Sequence, residues 1–324
     1  MATYYVANYG ANANNGTSPT TPWKDINFAL GTATGTNPGL ASGDTVWIAP
    51  GTYREIVTYA GGNGTSGNPI NIYGDPTFTK SWSSGSAGKI RITNFMTDST
   101  LPTAGNTLSI TKDWINVVDL CIDGYPSGSL TSNSASTASV FIAASNITFT
   151  RCNINTVTSG RFVGLHHYLA SGKTGLTLNS CSIFAPMPIW SYMANQGSTP
   201  YASGIRLVDC IVLGGGTIDG AYTFEAQTSG QFNDVQIYNN TILNWGTNAI
   251  LFINAASSGT IIMRNNLIYS VKGTAVNSFQ SITITQSNNF IIASTTYTNV
   301  SPTTNSITAN LFDMGASRIQ QFTS

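Results

Sequence analysis

The residues of this chain that could do acid–base chemistry are few, and five of them cluster in one stretch. The 324 residues include 13 Asp or Glu, 13 Lys or Arg and two His. Hydrolysis of a glycosidic bond needs two carboxyl groups about 5–9.5 Å apart, and general acid–base catalysis needs a group whose pKa is matched to its task. The stretch that could supply such groups holds the candidate catalytic residues, which are Arg206, Asp209, Asp219, Glu225 and Asp234.

A second polar group lies upstream of that stretch. Arg161 is followed by the neighbouring pair His166 and His167. Neighbouring residues of a strand point to opposite faces, so the two imidazoles cannot act on one substrate group. A catalytic site and a stack of solvated surface residues are both compatible with these residue types, and the fold decides between them.

An internal repeat indicates the fold that must position these residues. Each copy reads apolar, any, apolar, any, any, small or polar, any, apolar. The copies lie at 115–122, 147–154, 176–183, 205–212, 235–242 and 261–268, with a degenerate copy at 282–292. A fixed period of about 28 residues predicts a solenoid, and the alternation of apolar residues predicts strands. We therefore predict an all-β, single-stranded parallel β-helix of about 9–10 coils with three short strands per coil.

The sixth position of the repeat predicts a column of buried side chains. It holds in turn Leu120, Cys152, Cys181, Cys210, Asn240 and Asn266. Four cysteines could form a metal site or disulfides, but a spacing of one coil favours a ladder of thiols acting as small apolar groups. The asparagines are expected to continue the column, with their amides hydrogen-bonded to each other and to the backbone. Neither a metal nor a cofactor is predicted.

The remaining polar and aromatic positions predict surface features. The fifth position of the repeat marks a polar bend, with Ser180 expected between Arg151 and Asp209. Outward strand positions predict a polar strip that would suit a glycan or a neighbouring subunit, formed by Thr148, Thr177, Arg206, Gln236 and Thr283. The larger aromatic residues could either stack on sugars at the surface or be buried by packing, including packing between subunits. These residues are Trp82, Trp114, Trp190, Trp245, Tyr192, Tyr222 and Tyr238.

The two ends of the chain depart from the repeat. No linker divides the chain, so one domain is predicted. Residues 1–43 are expected to form a strand, a loop and a capping helix over 22–31, with Thr21 as the N-cap. An amphipathic helix there would cover the open end of the solenoid core. Residues 44–294 are assigned to the β-helix, and 295–324 to a C-terminal cap or docking tail.

Composition argues against two classes of partner. Only 8% of the residues are charged and the net charge is zero, against about 25% charged residues in an average domain. A nucleic-acid surface needs a basic stripe and a peripheral membrane contact needs a basic cluster, so neither partner is expected. The N-terminus has neither the basic region nor the apolar core of a signal peptide, which favours release by lysis or assembly into a particle. A processed export precursor would look the same.

Three motifs near the N-terminus resemble those of a known family. The phrases YYVANYGANANNGT, SGDTVWIAPGTYRE and GTSGNPINIYGDP lie between residues 4 and 76. They resemble the pectate-lyase-like superfamily of right-handed parallel β-helix proteins, in particular its chondroitinase B and alginate lyase branch and phage virion proteins of the same build. The resemblance implies right-handed coils with an N-terminal helical cap. For a lyase it would also imply a basic residue pair beside a uronate carboxylate, with Ca²⁺, but no motif carries a catalytic residue onto this chain.

The sequence as a whole predicts a structural protein of a phage virion, either a capsid decoration or a tail appendage. The alternatives are a polysaccharide-active enzyme (lyase or glycoside hydrolase, free or as a tailspike depolymerase) and a glycan-binding adhesin. The expected partners are other virion proteins, further copies in a homotrimer and a surface polysaccharide. The expected location is the virion, assembled in the host cytoplasm and extracellular after release. Three converging charges in a groove would favour the enzyme, and apolar patches on a smooth wall would favour the structural protein.

Overall fold

The structure, a computed structural model, consists almost entirely of parallel strands. It describes residues 1–95, 105–124, 138–156, 162–169, 173–193, 201–214, 220–256, 260–302 and 307–310. The helix found in these ranges is α1 (Ile26–Ala29). The strands in chain order are β1 (Thr3–Val6), β2 (Thr45–Ile48), β3 (Gly51–Arg54), β4 (Val57–Tyr59), β5 (Ile70–Gly74), β6 (Ile90–Thr93), β7 (Leu108–Ile110), β8 (Ile115–Val118), β9 (Cys121–Gly124), β10 (Ala138–Ile142), β11 (Ile147–Thr150), β12 (Asn153–Thr156), β13 (Val163–Leu169), β14 (Leu176–Asn179), β15 (Ser182–Ala185), β16 (Met187–Met193), β17 (Tyr201–Val208), β18 (Ile211–Gly214), β19 (Gly220–Tyr238), β20 (Thr241–Asn244), β21 (Asn248–Ala256), β22 (Ile261–Arg264), β23 (Leu267–Ser287), β24 (Phe290–Pro302) and β25 (Ile307–Asn310).

The strands wind into a solenoid with three faces, and each strand pairs in parallel with its equivalent one coil away. The first face contains β1, β2, β5, β8, β11, β14, β17, the second half of β19 and β22. The second face contains β3, β6, β9, β12, β15, β18 and β20. The third face contains β4, β7, β10, β13, β16, the first half of β19 and β21. Strands β23 and β24 continue round all three faces, and β25 extends the second.

The repeat positions stack on themselves, which confirms the predicted parallel β-helix. Ile147 pairs with Leu176, and Leu176 pairs with Ile205. These three side chains are buried, whereas Thr148 and Thr177, one residue further on, are only partly buried. Alternate residues therefore point into one continuous apolar core, because successive side chains of a strand point to opposite sides. That core runs along the solenoid.

The N-terminal cap is much shorter than the predicted helix over 22–31. The helix has one turn, and its N-cap is Asp25 rather than Thr21. Trp23 cannot belong to a helix, because its backbone N–H and C=O both hydrogen-bond to the chain around β1 and hold it extended. The side chains of Trp23 and Ile26 are nevertheless fully buried in the main core, so the segment covers apolar surface without forming the long helix.

The β-helix extends past the predicted limits 44–294 at both ends. Strand β1 pairs with β2 over its whole length, so the first coil begins inside the region 1–43 assigned to the cap. Strands β24 and β25 carry the solenoid to Asn310, so part of the predicted tail at 295–324 belongs to it, while 311–324 lie outside the described residues. Within the described ranges, no helix has the length and apolar character needed to cross a membrane.

After each first-face strand of the repeat region the chain bends in the same way, which we call the exit bend. The fifth repeat position has a left-handed backbone, with φ between 51° and 59°, at Asp119, Arg151, Ser180, Asp209, Asn239, Asn265 and Asn288. Asn and Asp tolerate this conformation better than most residues. The polar stack predicted here is present. Arg151 donates to Asp119 through Nε and Nη2, both at 2.7 Å.

The inner column of the exit bend begins with the predicted ladder of thiols. Cys152, Cys181 and Cys210 are free, and each is at most 2% exposed. Burial raises the pKa of the Cys152 thiol well above its ordinary value, so this sulfur stays protonated. Cys181 Sγ donates to the carbonyl of Phe149 at 3.5 Å and Cys210 Sγ donates to the carbonyl of Leu178 at 3.4 Å. The three side chains therefore pack as small, mainly apolar groups of the core.

The column continues as the predicted ladder of asparagines. Asn240 Nδ2 donates to Asn266 Oδ1 at 3.0 Å, and Asn266 Nδ2 donates to Asn289 Oδ1 at 2.9 Å. The same amides bond the backbone, since Asn266 Nδ2 also donates to the carbonyl of Ile237 at 2.8 Å. The backbone N–H of Asn240 donates to Asn266 Oδ1 at 3.0 Å. Every amide of this ladder thus serves the wall of the solenoid.

Candidate functional site

A second left-handed bend comes before the first-face strands, and we call it the entry bend. It consists of Trp114, Asn146, Gly175, Gly204 and Asp234, all with positive φ. Each residue lies directly before a repeat copy on the first face. Because those strands are in parallel register, the five positions form one row along the solenoid.

The entry bend borders an open groove on the first face, which we call the first-face groove. Its volume is about 530 Å³, and its lining includes Trp114, Asn116, Asn146, Thr148, Thr177 and Arg206. Hydroxyl and amide groups dominate this lining, with one indole and one guanidinium. The groove crosses the coils of β5, β8, β11, β14 and β17, because Ser66 and Pro69 before β5 also line it. It is therefore about 19 Å long at the usual strand spacing of about 4.8 Å.

Two glycines keep the middle of the first-face groove open. Gly175 and Gly204 have φ values of 80° and 69°, a conformation that glycine adopts without strain. A Cβ on Gly175 would lie 2.6 Å from Asn146 Oδ1, which is closer than normal contact. A Cβ on Gly204 would lie 3.5 Å from Arg206 Nη1. Larger residues here would therefore fill the space between the indole and the guanidinium.

A positioned cation lies at one end of the first-face groove. Arg206 Nη2 donates to Asp234 Oδ2 at 2.8 Å, and Gln236 Nε2 donates to Asp234 Oδ1 at 2.7 Å. Both oxygens of the carboxylate therefore accept hydrogen bonds, and the carboxylate fixes the guanidinium in place. The side chains of Arg206 and Asp234 are 36% and 43% exposed. A guanidinium has five N–H donors, so Arg206 keeps donors for a ligand in the groove.

Of the predicted candidate residues, the structure brings together Arg206 and Asp234. Asp209 lies on the exit bend, at the far end of the same strand, and Glu225 lies on the third face. One coil passes through all three faces, so closeness in sequence does not bring these groups to one site. The candidates that lie outside the described residues are Asp219 and Arg161. Within the described ranges, no group of three His, Cys, Asp or Glu residues is placed to hold a metal ion.

The predicted polar strip is present, with one correction. Thr148, Thr177, Arg206 and Gln236 stack in direct register on the first face. Thr283 does not belong to this column, because Gln236 pairs with Ile262 and Ile262 pairs with Thr285. The degenerate last copy of the repeat is offset by two residues, which explains the wrong assignment. The strip forms the wall of the first-face groove.

The third face carries an aromatic cluster around Glu225. Trp190 Nε1 donates to Glu225 Oε2 at 3.0 Å, and Tyr192 is the strand neighbour of Glu225. His166 stacks on Trp190 with 4.5 Å between the ring centroids. Burial, aided by the charge of His167, lowers the pKa of His166 to about 3. Trp190 and Tyr192 are each 3% exposed, so these rings pack against protein and do not offer a surface for a sugar.

The two histidines point to opposite sides of β13, as predicted. His167 lies between Ile142 and Ser191 in the strand register and is fully buried. Neither of its ring nitrogens has a hydrogen-bond partner among the residues that the structure describes. Burial lowers the pKa of His167 to about 3, so the ring is neutral at neutral pH. Burying two ring nitrogens without partners lowers the stability of the wall.

The aromatic residues named as sugar-stacking candidates are mostly buried. Trp82, Trp190, Tyr192 and Tyr222 lie at 7% exposure or below, and Tyr238 is partly buried. Trp114 is the member of the set that lines the first-face groove. Trp245 is 45% exposed and lies beyond the end of β20, on the second face.

The outer surface of the second face changes from polar to apolar along the solenoid. In its N-terminal half Arg91 is paired with Asp123, which also accepts from Asn155 Nδ2 at 2.8 Å. The later coils present an apolar strip on the same outward positions. This apolar strip consists of exposed and partly buried side chains, namely Phe184, Ile211, Leu213, Leu243, Trp245, Leu267, Tyr269 and Phe290.

Comparison with known proteins relates the chain to others through its fold. No family model and no curated protein matches the sequence. A solved structure of a rhamnogalacturonan lyase aligns with a TM-score of 0.51 and 13% identity, over 97% of this chain and 88% of that chain. Pectate lyase Pel9A aligns with a TM-score of 0.48 and 13% identity, over 97% and 80% of the two chains. Pectin methylesterase PemA from Erwinia chrysanthemi aligns with a TM-score of 0.43 and 10% identity, over 93% of this chain and 81% of that chain.

The likeness to the rhamnogalacturonan lyase structure shows the fold. The chain has the right-handed parallel β-helix fold of the pectate-lyase-like superfamily. The resemblance noted in the N-terminal motifs is thereby confirmed. Because one fold carries many functions, the activity has to be argued from the site.

Proposed function

We propose that the protein is polysaccharide-active and binds an acidic glycan in the first-face groove. The observation that carries the proposal is the groove itself, which Trp114 lines and which has the oriented Arg206 guanidinium at one end. An indole stacks on the apolar face of a sugar ring, and a guanidinium binds a carboxylate through two parallel hydrogen bonds. The hydroxyl and amide lining between them matches the hydroxyl groups of a glycan.

The groove fits an elimination reaction at a sugar acid better than it fits hydrolysis. Hydrolysis needs two carboxyl groups on opposite sides of the bond, and Asp234 is fixed by hydrogen bonds from Arg206 and Gln236. Arg206 would instead hold the uronate carboxylate and stabilise the charge that develops when the neighbouring proton is removed. Hydroxide from solvent takes that proton, the electron pair of the C–H bond forms the C=C double bond, and the glycosidic C–O bond breaks. The departing oxygen takes a proton from water, which leaves an unsaturated uronate and a free hydroxyl group. The name of the related solved structure, a rhamnogalacturonan lyase, supports this substrate class.

The experiment is a binding and cleavage screen of the whole chain against a panel of uronate-containing and neutral polysaccharides, with and without Ca²⁺. Affinity electrophoresis measures binding, and ultraviolet absorbance of unsaturated uronates measures cleavage. We expect retention by at least one acidic polymer, with retention lost in Arg206→Ala. The matched control is Arg264→Ala, which removes the same charge from an exposed residue on the first face two coils beyond Arg206.

Two results would contradict the proposal. One is the absence of retention on every acidic polymer of the panel. The other is an equal loss of retention in Arg206→Ala and Arg264→Ala, which would assign any binding to general charge. Binding without unsaturated products would support the proposed glycan ligand but contradict the proposed elimination reaction. The protein would then be a glycan-binding adhesin.

A structural role in a virion is the second candidate function. The apolar strip on the second face favours it, because a protein of a larger assembly needs apolar contact surface. Quantitative mass spectrometry of particles purified from a culture that produces the protein tests this role. A fixed ratio to other particle proteins would support it, and recovery in the soluble fraction alone would contradict it.

A further inference from the structure

The charge of the first-face groove is concentrated at one end. Of the described residues that line the groove, Arg206 is charged and the others are neutral. The groove crosses five coils and is about 19 Å long, so it accommodates more than one sugar residue. A glycan that lies along the groove therefore meets one guanidinium at the coil of β17 and neutral side chains along the other four coils.

The neutral part of the lining offers hydrogen-bond donors and acceptors together. The side chains of Asn146, Thr148 and Thr177 have no hydrogen-bond partner among the described residues, so their polar groups are available to a ligand. Amides and hydroxyl groups each contain a donor and an acceptor, and a sugar hydroxyl can match both. An ionised carboxylate only accepts hydrogen bonds, so it would leave the amide oxygen of Asn146 unpaired and facing a negative charge.

The charged residues just before the entry bend do not add a second cation to the groove. Lys173 Nζ donates to Asp113 Oδ1 at 2.9 Å, and the same oxygen accepts from the backbone N–H of Ser145 at 2.8 Å. Neither member of this ion pair lines the groove, and neither does Lys112. The ammonium of Lys173 is therefore held by a carboxylate of the protein and is not placed to hold one of a ligand.

We propose that the first-face groove selects glycans in which a uronate is followed by neutral sugars, and discriminates against polymers that carry a carboxylate on every residue. This inference rests on the proposed glycan function of the groove. One carboxylate pairs with Arg206, but any further carboxylate would lose part of its hydration without gaining a counter-charge. Specificity is a difference between two affinities, so the neutral lining penalises a polyuronate although the groove requires one acid.

Affinity electrophoresis of the whole chain tests this charge pattern on polymers of one backbone. The probes are polygalacturonate and alginate, each as the parent polymer and with about half or all of its carboxyl groups reduced to alcohols. Reduction keeps the linkages of the polymer, so it changes the charge density alone. We expect the half-reduced form to be retained about tenfold more tightly than the unreduced polymer, and the fully reduced form to lose retention.

A second cation in the middle of the groove should reverse this preference. Thr148→Lys places an ammonium two coils from Arg206 on the same outward column, so a second carboxylate gains a partner. The variant should retain the unreduced polymer at least as tightly as the half-reduced one. The matched control Thr285→Lys adds the same charge to that column beyond the groove and should keep the original preference. Circular dichroism melting checks that both variants fold, and the reduction series on the parent protein depends on neither.

The outcomes separate this inference from the proposed function. Equal or tighter retention of the unreduced polymers by the parent protein would overturn the inference and leave an acidic glycan as the ligand. An unchanged preference in folded Thr148→Lys would also overturn it, because charge in the groove would then not set the specificity. Retention of a polymer that alternates uronate with a neutral sugar, such as hyaluronan, but of neither homopolymer would support it. A parent protein that retains no polymer with carboxyl groups would contradict the proposed function itself.

Discussion

The exit bend and the entry bend flank the same first-face strands and share a left-handed backbone, but their polar residues make different contacts. At the exit bend, the inner column of Asn240, Asn266 and Asn289 uses its amides to bond neighbouring coils. At the entry bend, Trp114 and Asn146 line an open groove, and Asp234 orients Arg206 toward it. The same backbone turn thus supports a wall on one side of the strand and an open groove on the other.

The comparison gives a rule for the polar residues of this molecule. A buried amide without a partner costs about 1–3 kcal/mol, so inner polar groups are useful to the fold only when the ladder satisfies them. An outer polar group loses little when its partner is removed, because water replaces it. Changes at the exit bend should therefore affect stability, and changes at the entry bend should affect ligand binding.

Breaking the amide ladder should have the largest effect on stability. Asn266→Ala removes the acceptor of the Asn240 amide and the donor to the carbonyl of Ile237. We expect the free energy of unfolding to fall by about 3 kcal/mol, because more than one buried group loses its partner. Urea denaturation followed by circular dichroism measures this change. The matched control Asn265→Gly alters an exposed amide at the same bend and should change stability by less than about 0.5 kcal/mol; equal losses in both variants would remove the distinction between inner and outer amides.

Lowering the pH should reduce the stability of the fold through His167, whose buried imidazole has no hydrogen-bond partner among the described residues. Burial holds the pKa of His167 at about 3 in the fold, below its ordinary value of about 6.5. The unfolded chain therefore binds the extra proton between these values, and stability that is complete above about pH 6.5 is lost as the pH falls toward 3. At pH 5 the loss from this residue should be about 2 kcal/mol.

The substitution His167→Leu isolates this acid effect. It removes the titrating ring and two unsatisfied nitrogens, so the variant should be as stable as the parent or more stable at pH 7, and clearly more stable at pH 5. Thermal unfolding at the two pH values compares them. An unchanged pH dependence in the variant would show that His167 is not the source of the acid sensitivity.

Filling the first-face groove should reduce binding without changing stability. Thr177 lies in the middle of the groove and points outward, so Thr177→Tyr places a ring in the space for a ligand. We expect about tenfold weaker glycan binding, or about 1.4 kcal/mol, with an unchanged melting temperature. The same substitution at Thr285, which is further along the same column, should leave binding intact. Unaltered binding in Thr177→Tyr would place the ligand elsewhere.

The outer side of the exit bend should give the smallest effect. Arg151 and Asp119 form a double hydrogen bond on the surface, with the arginine side chain 58% exposed. Arg151→Ala should therefore lower stability by no more than about 0.5 kcal/mol, as measured by thermal unfolding at low salt. A loss near 3 kcal/mol would mean that the outer polar groups also hold the wall together.

Much of the wall can be predicted from the sequence, because every coil repeats the same requirement. The apolar alternation, the thiols and amides of the inner column and the polar exit bend recur in the same order in each clear copy, so the register of those copies follows from aligning them. The prediction of a helix over 22–31 was wrong because this segment does not belong to the repeat. Its residues have the pattern of a helix, but tertiary pairing of Trp23 with the chain around β1 overrides that local preference.

The groove could be predicted only in part. The outward strip from Thr148 to Gln236 follows from the repeat, but closeness in sequence wrongly grouped Glu225 with Arg206. The entry bend has a signal that the prediction did not use. The residues just before the repeat copies include Asn146, Gly175 and Gly204, types that favour a left-handed backbone. That these positions border a groove depends on the side chains of neighbouring coils, which periodicity alone does not give.

The most direct test of this account measures glycan affinity and melting temperature together for Arg206→Ala. The account predicts about 30-fold weaker binding to the acidic polysaccharide selected in the screen, or about 2 kcal/mol, with a melting temperature equal to that of the parent. Parent affinity in the variant would show that the oriented guanidinium does not hold the ligand. A large fall in melting temperature would place Arg206 in the wall, and the proposed division between a structural bend and a binding bend would be wrong.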